Sequence, residues 1–255
     1  MNKQHDFLAL GNHAILITGA SSGIGRATAI AASQQGAKVA IVARRMDQLE
    51  ETLSLLDGEG HLAIVCDVTD PKSLSSTFQQ ASAELGLLSG VVHAAGVHAV
   101  TPLRVMRAEQ VAKVFETNVT SALMVAKAFR SPKVRAPHSS IVLLSSAVAL
   151  TGEAGVSAYA ASKAAIASIG RSLALELAGE DIRVNSIAAG IVETPLTDGI
   201  RAKVGSEAWE SIRQTHPLGL GVSVDVANAA LYLLSQASRW VTGSTLVVDG
   251  GYTAH

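Results

Sequence analysis

Tyr159 and Lys163 stand four residues apart in Tyr159-Ala160-Ala161-Ser162-Lys163, a run that reads as helix. One helical turn carries both side chains onto a common face. A tyrosine hydroxyl in water ionises near pH ~10, so it exchanges protons usefully at neutral pH only where something stabilises its phenolate. An ammonium one turn away can do that. Upstream, the apolar run Ile141-Val142-Leu143-Leu144 ends in Ser145-Ser146, at the point where a parallel strand meets a cofactor crevice. A serine there could hydrogen-bond the oxygen that the tyrosine protonates. Alone, a Tyr-x-x-x-Lys pair more often decorates a helix surface than reacts. Its company in the chain changes the odds.

These side chains need a frame, and the chain supplies one from its start. Ala14-Ile15-Leu16-Ile17 suits a strand covered on both faces, and it runs into Thr18-Gly19-Ala20-Ser21-Ser22-Gly23-Ile24-Gly25. Residues 26–35 then read as helix, with Gly36 as its stop. Such a glycine turn lets backbone approach a pyrophosphate while the helix N-terminus presents free N–H groups to it. Lys38 to Ala43 is a second strand followed by Arg44-Arg45. An acidic residue at that strand tip would hold a ribose 2′-hydroxyl and a basic one a 2′-phosphate, so neutral Ala43 with Arg44 and Arg45 favours NADP(H) over NAD(H). The plainer alternative is two arginines solvating a helix entrance.

Residues 46–56 read as helix and 61–66 as a third strand ending in Asp67-Val68, where Asp67 can accept from an adenine amino group or merely begin a turn. Asp70-Pro71 is a helix start, continuing to about Leu85. Gly90 to Gly96 is a fourth strand ending in Ala94-Ala95-Gly96, small enough for a cofactor to lie against the backbone, although sheet packing favours small residues too. A long helical pattern over 108–130 contains Asn118, which faces water or, turned inward, opens a local site for water. Residues 131–138, with Pro132 and Pro137, read as a loop. After the Tyr159 helix, residues 182–187 form a sixth strand leading to Gly190-Ile191-Val192-Glu193-Thr194-Pro195, a turn where Thr194 can touch a cofactor carboxamide. Residues 196–216 break the rhythm and suit a substrate lid, with Leu196, Ile200, Val204 and Trp209 as its apolar side chains. Asp225 caps a helix to Leu234, and residues 245–249 are the last strand. Alternating strands and helices predict an α/β fold of one domain: a doubly wound parallel sheet of about seven strands, a Rossmann fold over residues 1–255.

Bulk properties narrow the function classes. A hydrophobic share of 48% with 16% charged residues specifies a globule with a sizeable core, and a net charge of -1 offers no field for nucleic acid or an acidic membrane. Cys66 is the sole cysteine, no His/Cys cluster has metal-ligand spacing, and no apolar run approaches the roughly 18 residues of a membrane span. Met1 to Asp6 is polar. The expectation is a protein of the cytoplasm with no metal.

Together these residues resemble the short-chain dehydrogenase/reductase family, in its 3-oxoacyl-carrier-protein-reductase-like form, over nearly the whole chain. Residues 18–25 match its T-G-x-x-x-G-x-G turn and Asp67-Val68 its adenine-contacting pair; Val248-Asp249-Gly250-Gly251 is of the family type. Asn118, Ser146, Tyr159 and Lys163 fall on its catalytic tetrad, Ser146 fitting better than Ser145 because it stands thirteen residues before the tyrosine. Two departures stand out: the usual N-N-A-G is His93-Ala94-Ala95-Gly96, and the usual Pro-Gly is Ala189-Gly190. His93 reads as a packed or hydrogen-bonded histidine. The resemblance implies hydride transfer between nicotinamide and a carbonyl or secondary alcohol. Tyr159 would be the acid/base and Ser146 the holder of the substrate oxygen. Lys163 would lower the tyrosine's pKa and bind the ribose, and Asn118 would hold a relay water. The cofactor would rest on Gly19, Ser21, Ser22, Gly23, Ile24, Gly25, Arg44, Arg45, Asp67, Val68, Ala94, Ala95, Gly96, Tyr159, Lys163, Gly190, Val192 and Thr194. A homotetramer joined through the Asn118 and Tyr159 helices is implied as well. Rival readings are a silent nucleotide-binding scaffold and an epimerase or dehydratase of the same fold.

Overall fold

Unbroken apolar runs have become the middle of a sheet covered on both sides. In the computed structural model of the protein, residues 8–254 are described, apart from the side chains of Leu196, Ile200, Ala202, Lys203 and Val204; the polar N-terminus lies outside the described residues. The elements are β1 (Ala14–Thr18), α1 (Gly23–Gln34), β2 (Lys38–Ala43), α2 (Met46–Leu53), β3 (Leu62–Val65), α3 (Pro71–Leu85) and β4 (Leu88–His93). They continue with α4 (Ala108–Phe115), a π turn (Glu116–Thr120), α5 (Ser121–Phe129), β5 (Arg135–Ser146), α6 (Ser157–Leu177) and β6 (Ile182–Ala189). The last are β7 (Val192–Glu193), α7 (Pro195–Val204), α8 (Ser206–Gln214), β8 (Gly221–Val222), α9 (Ser223–Leu234) and β9 (Thr245–Val248).

Seven parallel strands stand in the order β3-β2-β1-β4-β5-β6-β9, with β7 and β8 paired separately. The order reverses between β1 and β4, and the crevice at their carboxyl ends is where such sheets bind nucleotides. Alternate residues feed opposite cores. Leu16, Ile141 and Leu143 join Phe78, Phe129 and Ile166 on the α3–α5–α6 side, whereas Ile15, Ile17 and Val142 meet Leu49, Val226 and Leu231 on the α1–α9 side. Phe78 and Phe129 meet edge to face at 6.4 Å. No helix among the described residues is long and apolar enough to cross a membrane.

Four local readings differ from the sequence expectation. The helix over 108–130 is interrupted by the π turn that carries Asn118, a one-residue expansion that sequence periodicity does not reveal. Helix α2 ends at Leu53, before the expected residue 56. Strand β5 begins at Arg135, inside the expected loop, and Pro137 sits where its register against β4 slips between Leu88 and Gly90. A proline is tolerated there because the ladder is already broken. Asp225 caps α9 from inside its first turn, taking the Val222 N–H at 2.8 Å.

The first turn of the fold is close-packed backbone. Gly19 has φ +69°, and a Cβ on it would lie 2.6 Å from Ala95 N, so β1's exit rests directly on β4's. A Cβ on Gly25 would lie 2.3 Å from the Gly19 carbonyl oxygen. Gly25→Ala should therefore push helix α1 off the turn at a cost of about 1–3 kcal/mol, lowering the melting temperature by roughly 5 °C. A thermal melt within about 1 °C of wild type would show that the turn yields freely.

Candidate active site

Two clefts open at the carboxyl ends of the strands. One is lined by the glycine turn (Gly19, Ser21, Ser22, Gly23, Ile24, Gly25), by Arg44 and Arg45 after β2, by Asp67 and Val68 after β3, and by Ala94, Ala95 and Gly96 after β4. The other, a cavity of about 350 Å³, holds Ser146, Tyr159, Lys163, Gly190, Val192 and Thr194. Ile24, Ala94, Gly96, Val97 and Thr194 line both, which makes them one continuous groove. Every residue expected at a cofactor thus borders this groove.

The turn is built to face an anion. Ser22 precedes α1 in extended backbone and spends no side-chain oxygen on the helix end, which leaves first-turn N–H groups without a side-chain cap beside the cleft that Ser22, Gly23 and Ile24 line. Arg26 braces it from behind: its guanidinium donates to Ser21 O at 2.6 Å and Thr52 Oγ1 at 2.9 Å and pairs with Glu51. Arg44 is exposed at the rim. Asp67 accepts from the Thr69 N–H at 3.0 Å and the Thr69 hydroxyl at 2.8 Å, bonds that hold its carboxyl below the usual range, with Arg44 helping. Thr69 and Lys113 also line this cleft; neither was distinguishable in the sequence from ordinary turn and helix-surface residues.

His93, at the family's first asparagine position, is wholly internal. Ser121 Oγ donates to Thr117 O at 2.5 Å, so its oxygen accepts from His93 Nε2–H at 2.9 Å. Nδ1 must then accept from Thr18 Oγ1 at 2.8 Å, and that oxygen takes the Ala95 N–H at 3.3 Å. Burial, with the Lys163 charge assisting, pushes the imidazole down to about 3 and keeps it neutral. The chain of bonds ties the glycine turn, the end of β4 and the π turn into one unit.

Asn118 is buried behind Gly96 rather than in the groove wall. Its Oδ1 accepts the Val97 N–H at 2.8 Å, and Nδ2 donates to Val97 O and Ser162 Oγ, both at 3.0 Å. The amide is therefore committed to clamping the β4 exit to α6.

Tyr159 and Lys163 share a face of α6, as their spacing requires, but the ammonium points past the phenol. Lys163 Nζ donates to Leu144 O at 2.7 Å and lies 5.9 Å from the tyrosine ring centre. Burial lowers Lys163 to about 8. Burial also raises Tyr159; a hydrogen bond with Ser146 works the other way, and the Glu153 charge adds to the rise. Ser146 and Tyr159 are thus in contact, and the shift on the phenol is set by loss of hydration, with Ser146 rather than Lys163 acting to lower it. Ser145, the neighbouring hydroxyl, is spent on Lys163 O at 2.7 Å.

Four further groups close the cavity: His98 and Tyr252, which carry no signal in the sequence, and Glu153 and His216, which fall in the 151–157 loop and the 196–216 segment expected to shape the substrate site without being distinguished there as single residues. The His98 ring meets Tyr159 edge-on at 4.5 Å. His216 Nε2 accepts the Ile191 N–H at 3.3 Å, so Nδ1 carries the proton toward Ile212 O, and Tyr252 stacks on its ring at 4.8 Å. Asp249 holds that C-terminal tail in place through Gly251 and Thr253. Of the expected lid side chains, Trp209 is buried and borders no part of the cavity, while Leu196, Ile200 and Val204 lie outside the described side chains. Thr197, Ile212 and His216 face the cavity from that segment instead.

Residues 19–253 match the sequence model of a family described as Enoyl-(Acyl carrier protein) reductase. The chain is 36% identical to a 3-oxoacyl-[acyl-carrier-protein] reductase of Bos taurus over 92% of its own length and 95% of the relative's. It is 34% identical to 3-oxoacyl-[acyl-carrier-protein] reductase FabG of Escherichia coli with the same coverage. Cis-4-hydroxycyclohexanecarboxylate dehydrogenase of Sinomonas cyclohexanicum is 36% identical over 96% of this chain and 98% of its own.

Proposed function

The chain belongs to the short-chain dehydrogenase/reductase family, and from that premise we propose that it is an NADP(H)-dependent oxidoreductase interconverting a carbonyl compound and a secondary alcohol. One observation carries this reading above the rest: Ser146, Tyr159 and Lys163 line a cavity continuous with the glycine-turn cleft. A silent scaffold has no use for that juxtaposition. Among the curated relatives, one name is that of a 3-oxoacyl reductase and another that of a hydroxy-acid dehydrogenase, the same bond chemistry in opposite directions.

The cradle that Gly19 and Gly25 keep open, where a Cβ would strike backbone, fits a dinucleotide pyrophosphate over the start of α1. Arg44 and Arg45 would take a 2′-phosphate, Asp67 and Val68 the adenine, and Gly190, Val192 and Thr194 the carboxamide side of the nicotinamide. When bound, the reduced nicotinamide supplies the hydride. Tyr159 then donates its proton to the carbonyl oxygen while Ser146 holds that oxygen in place, and Lys163 stabilises the resulting phenolate. Asn118 fixes Val97 and α6 around them. Segment 196–216 acts as the lid, contributing Thr197, Ile212 and His216. Leu123 on α5 and Leu175 on α6 stand exposed, Leu175 at 84%, which supports a homotetramer paired across these helices.

The test is cofactor oxidation with NADPH and NADH over 3-oxoacyl thioesters, cyclic and acyclic ketones, and 2-enoyl thioesters. Consumption of NADPH with an equal yield of alcohol is expected on carbonyls. Turnover of enoyl thioesters alone, or product without net consumption, would replace this reading with another.

A further inference from the structure

The substrate cavity is apolar except at a few points. Val97, Val100, Val148, Ile191 and Ile212 are among the side chains of its wall, and among the described residues only two groups of fixed charge line it, Lys163 and Glu153. Lys163 is buried, and its Nζ is bonded to the Leu144 carbonyl. Glu153 is different. It sits on the loop between β5 and α6, at the mouth, and among the described residues its carboxylate makes no hydrogen bond and no ion pair. Its side chain is exposed at the edge of an otherwise apolar cavity, so its charge meets whatever enters. It lines the same cavity as Tyr159, and its charge acts on that phenol; partial burial raises its own carboxyl.

We propose that Glu153 is a charge filter: the cavity takes neutral carbonyl substrates, whether ketones, esters or thioesters, with a hydrogen-bond donor turned toward the carboxylate, and turns away substrates carrying a free carboxylate close to the reacting carbon. This rests on the carbonyl-reductase reading above and narrows it to a substrate class. The other titratable groups around the cavity are His98 against Tyr159 and the stacked pair His216 and Tyr252. Wild type and variants are compared at one neutral pH, below the value of about 8 at which Lys163 loses its charge.

The experiment compares 4-oxocyclohexanecarboxylate with its methyl ester, as kcat/KM with NADPH, in the wild type and in Glu153→Gln. Two unit charges roughly 10 Å apart at an effective dielectric near 20 should disfavour the acid by about tenfold or more. Glutamine, of equal size and neutral, should shrink the ester-to-acid ratio by the same factor, and Glu153→Lys should invert it. A ratio identical in wild type and Glu153→Gln overturns the filter. If neither compound is reduced while the pair still binds the NADP⁺-loaded protein in calorimetry, the oxidoreductase reading fails and the filter is judged on the two dissociation constants. An ester that does not bind the loaded protein defeats the filter as well.

Discussion

Tyr159→Phe keeps the shape of the cavity and loses roughly 10²–10⁴-fold of turnover, the usual worth of a positioned acid–base group. The ring lies edge-on to His98 and phenylalanine keeps that ring, so the substitution fits without a new cavity. The glycine turn, Arg44 and Asp67 are untouched by the change, and NADPH titrated by fluorescence should bind within about twofold of wild type. Loss confined to kcat would mark the hydroxyl as acting in the transition state. Rates equal to wild type would remove Tyr159 from the chemistry and, with it, the proposed mechanism. The wild-type pH profile has a defined sign. Burial keeps Tyr159 protonated through neutral pH, the form a proton donor needs, while Lys163 carries its charge only below about 8. Carbonyl reduction should therefore be level at neutral pH and fall as the pH rises through about 8, where the phenolate loses its cationic neighbour.

The frame was legible in the sequence because each of its signals is local. A four-residue apolar run, a glycine turn and a helix in that order leave few topologies, and β1, α1 and β2 lie within a residue or a few of the expected positions. Asp70-Pro71 announced α3 for the same reason, its carboxylate accepting the Lys72 N–H at 3.0 Å. What escaped depends on packing at a distance. Nothing in Phe115-Glu116-Thr117-Asn118 distinguishes a π turn from an α-helix, because the extra residue is accommodated by Asn118 clamping Val97 and Ser162 from other elements.

The cavity wall shows the same division. Tyr159 and Lys163 could be placed on one face by counting, yet the direction of the ammonium is set by the Leu144 carbonyl on β5, which no spacing on α6 encodes. His98, Glu153 and Tyr252 come from three loops, successive ones 55 and 99 residues apart in the chain, and the fold alone makes them neighbours. Tyr252 arrives only because Gly250 and Gly251, at φ +60° and +90°, turn the tail back toward His216.

Arg44→Asp should reverse the cofactor preference, lowering the ratio of kcat/KM for NADPH over NADH by roughly 100-fold or more. The estimate combines loss of a charge-assisted contact, worth about 1.5–3 kcal/mol, with repulsion between the new carboxylate and a 2′-phosphate. Position favours the change: Arg44 directly follows Ala43, the last residue of β2, and is exposed at the cleft rim. No acidic residue occupies the end of β2, so the wild type offers a ribose 2′-hydroxyl no carboxylate there, and the aspartate would introduce one. Stability should be unaffected, since the side chain is solvated, and an unchanged melting temperature would exclude misfolding as the cause. Arg45 and Lys113 line the same cleft. A cofactor ratio that does not move in Arg44→Asp would transfer the phosphate contact to one of them, and Lys113→Ala and Arg45→Ala would identify which.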